Sequence, residues 1–294
     1  MSAHPAPAGA FAAGEAGGAA GRPTLVKAPV VRARPLAEGV VWLELQAPEL
    51  AGARPGQFVH VTCREPGSLD PLLRRPFSLA DARPERGEVA IVVKAVGRAT
   101  RWLAARRPGD VLDVMGPLGH PFSAEPGQPP EAALLVGGGT GLAPLLFLAR
   151  RLAAAGGEVA VAAGFRRRQD VILVDEFAAL GARVVVATED GSVGRPGTAA
   201  QVAEGLWPEA RSVFACGPWG LLQAVERLRR ADPRPLEVAV ETMMGCGAGV
   251  CLSCVVPWRR REGYRVTGWA RACVEGPVFD ARDLVWERCP GGGG

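Results

Sequence analysis

Near the C-terminus, Cys246, Cys251, Cys254 and Cys273 are spaced C-x4-C-x2-C, with the fourth cysteine at a distance. No other feature constrains the fold as much. Four thiolates that share one centre must be brought together, so the chain between them has to turn back on itself. The spacing is that of plant-type [2Fe–2S] ligands and implies one-electron chemistry. Gly245, Gly247 and Gly249 interleave with the ligands and suit a loop that wraps closely with its N–H groups turned inward. The competing reading is zinc, which prefers two separated C-x-x-C pairs or Cys/His mixtures.

The bulk properties narrow the setting. A chain of 294 residues, 48% of them hydrophobic, predicts about two domains with room for a third small module. A net charge of only +4 argues against nucleic acid as a partner. Seven cysteines, an odd number in a long chain, do not read as a secreted disulfide framework, and a reducing cytoplasm is the expected compartment. Residues 1–23, rich in Ala, Gly and Pro, predict a disordered tail rather than a signal peptide. Residues 132–149 carry no charge, but Gly137, Gly138, Gly139, Thr140, Gly141 and Pro144 interrupt them. They read as strand, loop and helix, and no membrane span is expected.

The predicted fold is multidomain α+β. Residues 24–128 alternate as short strands (40–45, 57–62, 88–94 and 111–115) with Pro-Gly and Arg-Gly turns, as in a closed antiparallel barrel, with a short helix over 99–106. The Pro-rich residues 125–130 read as a linker. From 129 to 235, strands at 132–136, 158–164, 183–188 and 213–216 alternate with helical segments at 142–155, 171–180 and 219–230. That alternation predicts a parallel sheet with helices on both faces. A break at 232–235 sets off a C-terminal cysteine module, 236–290.

Three further motifs carry chemistry. Gly137, Gly138, Gly139, Thr140 and Gly141 lie between an apolar strand and a helix, where glycines let the backbone approach a pyrophosphate at a helix N-terminus. Their spacing is not the G-x-G-x-x-G of the Rossmann type. Cys216, Gly217 and Pro218 stand at the C-terminal end of a strand, where ligands bind in open α/β sheets; a buried Cys in a turn is the plain alternative. In the barrel, Arg74, Arg75, Pro76, Phe77, Ser78 and Leu79 put a phosphate-binding cation and a hydroxyl on a strand. Lys94 to Thr100 then end one strand and open a helix.

The succession of these motifs resembles the electron transfer subunits of NAD-dependent, class B dihydroorotate dehydrogenases, within the ferredoxin reductase-like flavoproteins, over residues 25–286. The resemblance implies an FAD-binding barrel, a nicotinamide-binding α/β domain and a [2Fe–2S] module. It implies flavin contacts at Arg75, Pro76, Phe77 and Ser78 and on the strand Val92, Val93, Lys94. Ala99 and Thr100 match the phosphate-side Gly-Thr, with Ala in place of Gly. Gly137 to Gly141 match the pyrophosphate loop, and Cys216, Gly217 and Pro218 the nicotinamide side. The cluster ligands are then Cys246, Cys251, Cys254 and Cys273. Met243 stands where the family commonly has Arg. No residue is assigned a catalytic role of its own.

The resemblance further implies electron transfer between NAD(H), FAD and the cluster. The expected partner is an FMN-containing dihydroorotate dehydrogenase catalytic subunit, in a heterotetramer of pyrimidine (UMP) biosynthesis. This chain lacks the length for the eight βα units of that catalytic barrel. Closely similar chains serve NADH-dependent ferredoxin:NADP reductases and sulfhydrogenases, and a zinc-stabilised binding module is the alternative outside the enzymes. Arg166, Arg167 and Arg168 follow the second strand of the α/β domain, where a 2′-phosphate would sit, so NADP stays beside NAD. Cys63, Cys289 and the Arg259, Arg260, Arg261 run read as structural or solvated.

Overall fold

The structure, a computed structural model, describes residues 23–123, 131–259 and 268–289. The expected N-terminal tail, the Pro-rich linker at 125–130 and Arg260 and Arg261 lie outside the described residues. Six strands close an antiparallel barrel: β1 (Thr24–Ala37), β2 (Val40–Gln46), β3 (Phe58–Val61), β4 (Arg75–Arg83), β5 (Glu88–Lys94) and β6 (Val111–Leu118). They run in the order β1-β2-β5-β4-β3-β6. The expected barrel is therefore present, with β1 added. Pro29 and Pro35 obscure β1 in the sequence. Its first half pairs with β6 and its second half with β2, so both prolines fall where pairing changes or slips.

Strand alternation divides the barrel residues between two environments. Leu43, Val59, Val61, Phe77, Leu79, Ile91 and Val93 fill the interior, whereas Val40, Trp42, Ala80, Ala90 and Val92 face outward into a second apolar cluster. A helix α1 (Arg98–Ala104) caps one end, shifted by a residue or two from its expected span.

A seven-stranded sheet follows, built from β7 (Ala132–Gly138), β8 (Glu158–Phe165), β9 (Arg183–Thr188), β10 (Arg195–Pro196), β11 (Ser212–Cys216), β12 (Leu236–Ala239) and β15 (Val278–Asp280). Its order is β10-β9-β8-β7-β11-β12-β15, parallel throughout except for antiparallel β15. On one face lie α2 (Leu142–Ala154) and α3 (Val174–Ala178), and on the other α4 (Ala199–Leu206) and α5 (Trp219–Ala231). Ala133 and Leu135 of β7 join the α2 side, and Leu134 and Val136 the α4–α5 side. Both faces are thus apolar, as a covered parallel sheet requires.

Two helical expectations change. The segment at 171–180 shortens to α3, because Leu173 with φ 63° precedes it as a non-helical N-cap. Helix α4 was not anticipated, although its signal is present. The Thr198 hydroxyl accepts from Gln201 N at 3.4 Å and Gln201 Oε1 accepts from Thr198 N at 2.8 Å, a reciprocal capping box.

The uncharged run at 132–149 also finds its reason. Helix α2 is buried on both sides, against the sheet and against β4 of the barrel. Phe147 reaches into the barrel core itself. A helix that is apolar almost all round belongs in an interior. No helix of the described residues is long and apolar enough to cross a membrane.

The chain past 235 does not leave the sheet: β12 pairs with β11 and β15 with β12. The cysteines lie on the excursion between these two strands, with β13 (Val255–Trp258) and β14 (Gly268–Arg271) forming a small two-stranded sheet of their own.

Candidate functional site

Because β7, β8, β9 and β11 are parallel, their C-terminal ends share one edge, the place where open α/β sheets bind ligands. A cavity of about 1020 Å³ opens there. Gly138, Gly139 and Thr140 line it after β7, Arg166 after β8, Glu189 after β9 and Pro218 after β11, while Val40, Lys94 and Val96 close it from the barrel.

The glycine loop divides by role. Gly138, Gly139 and Thr140 face the cavity. Gly137 and Gly141 are glycines for packing: a Cβ on Gly137 would lie 2.9 Å from Leu142 Cγ, and one on Gly141 would lie 2.7 Å from the carbonyl carbon of Cys216.

Of the Cys216, Gly217, Pro218 triplet, Pro218 lines the cavity. Cys216 is buried, and burial together with the nearby Glu241 carboxylate pushes its thiol well above the usual range. It meets the glycine loop through its carbonyl rather than its sulfur. Glu241 lines the same cavity, and desolvation raises its carboxyl although part of the side chain meets solvent. In the sequence it stood only as the first residue of the cysteine run. Its place two residues past the end of β12, on the ligand-binding edge, follows only from the pairing of β12 with β11, for which the sequence carried no local signal.

The three arginines after β8 separate. Arg166 lines the cavity, Arg167 pairs with Asp170 at 3.4 Å and Arg168 binds the Ser192 carbonyl at 2.7 Å. Asp170, Glu189 and Glu204 share the same wall.

On the barrel, Arg75, Pro76 and Ser78 are half-buried and Phe77 points into the core. The Arg75 guanidinium donates to the carbonyls of Leu73 and Arg74 at 2.7 and 3.1 Å. Its preceding loop therefore fixes it in place, and the strand offers a polar ledge suited to a flavin. Val93 is enclosed in the barrel and Val92 packs among the residues around α2, so of that strand only Lys94 reaches the cavity. The Thr100 hydroxyl is engaged in the turn before α1, accepting from Val96 N and Gly97 N at 3.0 and 2.9 Å. Ala99 sits inside the barrel core. Arg74 is structural: it holds Asp113 at 2.7 Å, as Lys27 does at 2.8 Å.

Of the four cysteines, two have their sulfurs in contact and the other two are linked through the backbone. Cys254 and Cys273 are buried with sulfurs 3.3 Å apart. Cys251 N donates to Cys246 Sγ at 3.4 Å; Cys246 is half-buried and Cys251 exposed. Ala248 N and Val250 N also point at Cys246 Sγ, each at 3.4 Å, and Gly249 N at Cys273 Sγ at 3.2 Å. Inward N–H groups around thiolates stabilise their charge and are a lever on the potential of an iron–sulfur cluster. The Ser253 hydroxyl, 3.2 Å from Cys251 Sγ, and neighbouring amides lower that thiol to about 6, whereas burial and Cys254 push Cys273 up to about 12. Among the described residues no three His, Cys, Asp or Glu side chains gather as for one metal ion.

Cys63 and Cys289 are buried away from this loop, each donating to a carbonyl two or four residues back at 3.4 Å. Met243 is 86% exposed beside the cysteine loop.

One residue that the sequence did not single out joins barrel and loop. His60 on β3 is fully buried, and neither ring nitrogen has a hydrogen-bond partner. Leaving a buried polar group unpaired costs about 1–3 kcal/mol. Burial and the Arg74 charge lower its pKa to about 4, so the ring is neutral.

An antiparallel barrel that joins a parallel α/β sheet across a glycine-lined cavity, followed by a loop of four cysteines, defines a ferredoxin reductase-like flavoprotein with an iron–sulfur module. Residues 29–122 match the oxidoreductase FAD-binding domain family, and residues 241–285 match the iron–sulfur cluster binding domain of dihydroorotate dehydrogenase B. The chain is 37% identical to the dihydroorotate dehydrogenase B (NAD(+)) electron transfer subunit of Desulforamulus reducens, over 86% of this chain and 95% of that one. It is 41% identical to the Geobacillus kaustophilus protein of the same name, over 79% and 87%. Among solved structures, a chain from the NADH-dependent reduced ferredoxin-NADP oxidoreductase superposes with a TM-score of 0.76 at 32% identity, covering 89% of this chain and 91% of that one. This chain belongs to the family of dihydroorotate dehydrogenase B electron transfer subunits. It is a flavin and iron–sulfur oxidoreductase subunit, and the zinc-stabilised binding module falls away.

Proposed function

We propose that this chain carries electrons between NAD(H) and an FMN-containing dihydroorotate dehydrogenase catalytic subunit, by way of FAD and a [2Fe–2S] cluster. The setting is a cytoplasmic heterotetramer of de novo UMP synthesis. The observation that carries the reading is the surface around the cysteines. Cys251 is exposed, and Met243, Val250, Leu252 and Val274 present large apolar side chains on the same loop region. An outward-facing redox loop ringed by apolar groups suits a protein partner.

Bound FAD supplies the conversion between two-electron and one-electron transfer. The chain's own residues hold and shield. Arg75, Pro76 and Ser78 form the ledge for the flavin, Gly138, Gly139 and Thr140 admit the pyrophosphate of the nucleotide, and Pro218 and Lys94 border the reacting end. Phe77, Val92, Val93, Ala99, Thr100, Gly137, Gly141, Cys216 and Gly217 keep these surfaces in place from behind. Cys246, Cys251, Cys254 and Cys273 hold the irons. Asp170, Glu189 and Glu204 beside Arg166 disfavour a 2′-phosphate and suit the free diol of NAD.

The test is co-purification from the native cell. Recovery of an FMN-containing barrel subunit, with NADH formed from dihydroorotate, supports the reading. A second reading, the small subunit of an NADH-dependent ferredoxin:NADP reductase, is favoured by the 32% identity to a chain of that enzyme's structure. A different large subunit in the same purification selects it.

A further inference from the structure

The cavity runs over the edge of the sheet from one face to the other. The barrel, which closes one end with Val40, Lys94 and Val96, packs against α2, whereas α4 and α5 cover the opposite face. The glycine loop at the end of β7 stands between. A dinucleotide with its pyrophosphate on that loop and its reacting ring toward the flavin-bearing barrel must turn its adenosine to the α4–α5 side. There Ala200, Ala224 and Leu228 form apolar walls, with Glu204 and Arg227 on facing helices. The three arginines of α5 divide. Arg229 holds Glu226 through Nε and Nη2 at 2.6 and 2.7 Å, and Arg230 holds it through Nε at 3.0 Å. Arg227 is exposed and lines the cavity, and among the described residues its guanidinium has no hydrogen bond or ion pair, not even with Glu204.

Its distance from the glycine loop bears on what it meets. A Cβ on Gly138 would lie 3.2 Å from Leu221 Cδ2, so Leu221 marks where α5 passes that loop. Arg227 follows six residues later, about 9 Å along the helix axis, past the phosphates and level with the nucleoside. A guanidinium that no carboxylate engages, beside apolar walls, presents a planar cation to a planar ring, and Arg stacks on such rings. We propose that Arg227 is a specificity-determining residue for the adenosine end of the nucleotide, its guanidinium lying against the purine in the α4–α5 groove. The inference rests on reading the cavity as the NAD(H) site. It goes further by assigning the end of that site remote from the flavin, and one residue in it.

The experiment uses the full chain with its native partner and cofactors, unmutated and as Arg227→Ala and Arg227→Lys. The side chain is exposed and alanine favours a helix at least as well, so both variants are expected to fold. Titration calorimetry reads the binding of ADP-ribose, which carries the adenosine end without the nicotinamide. Flavin reduction by reduced nicotinamide mononucleotide, which carries the reacting end alone, is the comparison. Arg227→Ala is expected to weaken ADP-ribose about tenfold, about 1.4 kcal/mol. The mononucleotide, which lacks the purine, is expected to show no matching loss. Arg227→Lys, which keeps the charge but not the plane, is expected to recover little of the affinity. Unchanged ADP-ribose binding in Arg227→Ala overturns the proposal, as does full recovery in Arg227→Lys or an equal loss with the mononucleotide. So does a preference for 2′-phospho-ADP-ribose that Arg227→Ala abolishes, which would make the residue a phosphate anchor. If the unmutated protein binds no ADP-ribose, the nucleotide assignment fails and the inference with it. If it binds and the variants match it, the inference fails alone.

Discussion

Gly141 of the glycine loop abuts the main-chain carbonyl of Cys216, so the ends of β7 and β11 are locked together. Two motifs separated by some seventy residues thereby form one surface. Gly141→Ala forces that contact apart while leaving barrel and cysteine loop untouched. NADH affinity is expected to fall about tenfold or more, about 1.4 kcal/mol, with flavin absorbance and iron content unchanged. Nucleotide titration followed by flavin reduction measures it, and unchanged affinity would remove Gly141 from the site.

Cys251→Ser removes the exposed member of the proposed ligand set. The loop it belongs to is an excursion between β12 and β15, whereas the barrel is closed on itself. Loss of the iron–sulfur EPR signal with full retention of FAD is expected, as read by iron analysis and flavin absorption. Loss of flavin as well would show that the barrel depends on the loaded loop.

Phe147 is the point at which α2 enters the barrel core. Phe147→Ala opens a cavity in a fully buried site and is expected to lower unfolding free energy by about 3–5 kcal/mol, measured by chemical denaturation of the FAD-loaded protein. A loss under 1 kcal/mol would mean that the helix repacks freely against β4.

Asp113 gives a pH dependence with a definite sign. Desolvation works to raise its carboxyl, but Lys27 and Arg74 outweigh that and hold it below the ordinary value, about 3.9. The folded state therefore binds this proton less readily than the unfolded chain. The stability it contributes is complete above about pH 4 and is lost as pH falls through the folded value. Asp113→Asn is expected to flatten the decline of melting temperature in that acid range. Parallel acid profiles for the two proteins would refute the assignment.

Much of this was legible because it is written in local patterns. The apolar run of β5, the glycine loop between β7 and α2, and the cysteine spacing each occupy a short stretch of chain. What escaped was of three kinds. Helix α4 had a local signal in Thr198 and Gln201 that went unread. Strand β1 had its signal blurred by Pro29 and Pro35, because two different neighbours take its two halves. The membership of β12 and β15 in the large sheet had no local signal, since pairing partners are chosen by tertiary contact.

The sequence by itself determined which groups are available: four thiolates, a glycine loop, an Arg-Pro-Phe-Ser strand and their order. Ligand spacing and turn chemistry depend on neighbours along the chain. The tertiary structure decided which of these groups face a ligand. It turned Phe77 and Val93 inward, engaged Thr100 in a turn, divided the glycines between packing and cavity, and brought Glu241 to the cavity mouth. It also set His60 against Gly247, across 187 positions of sequence. Burial on two sides at once, as for α2 and His60, arises only when separate elements meet, and no spacing along one of them encodes the other.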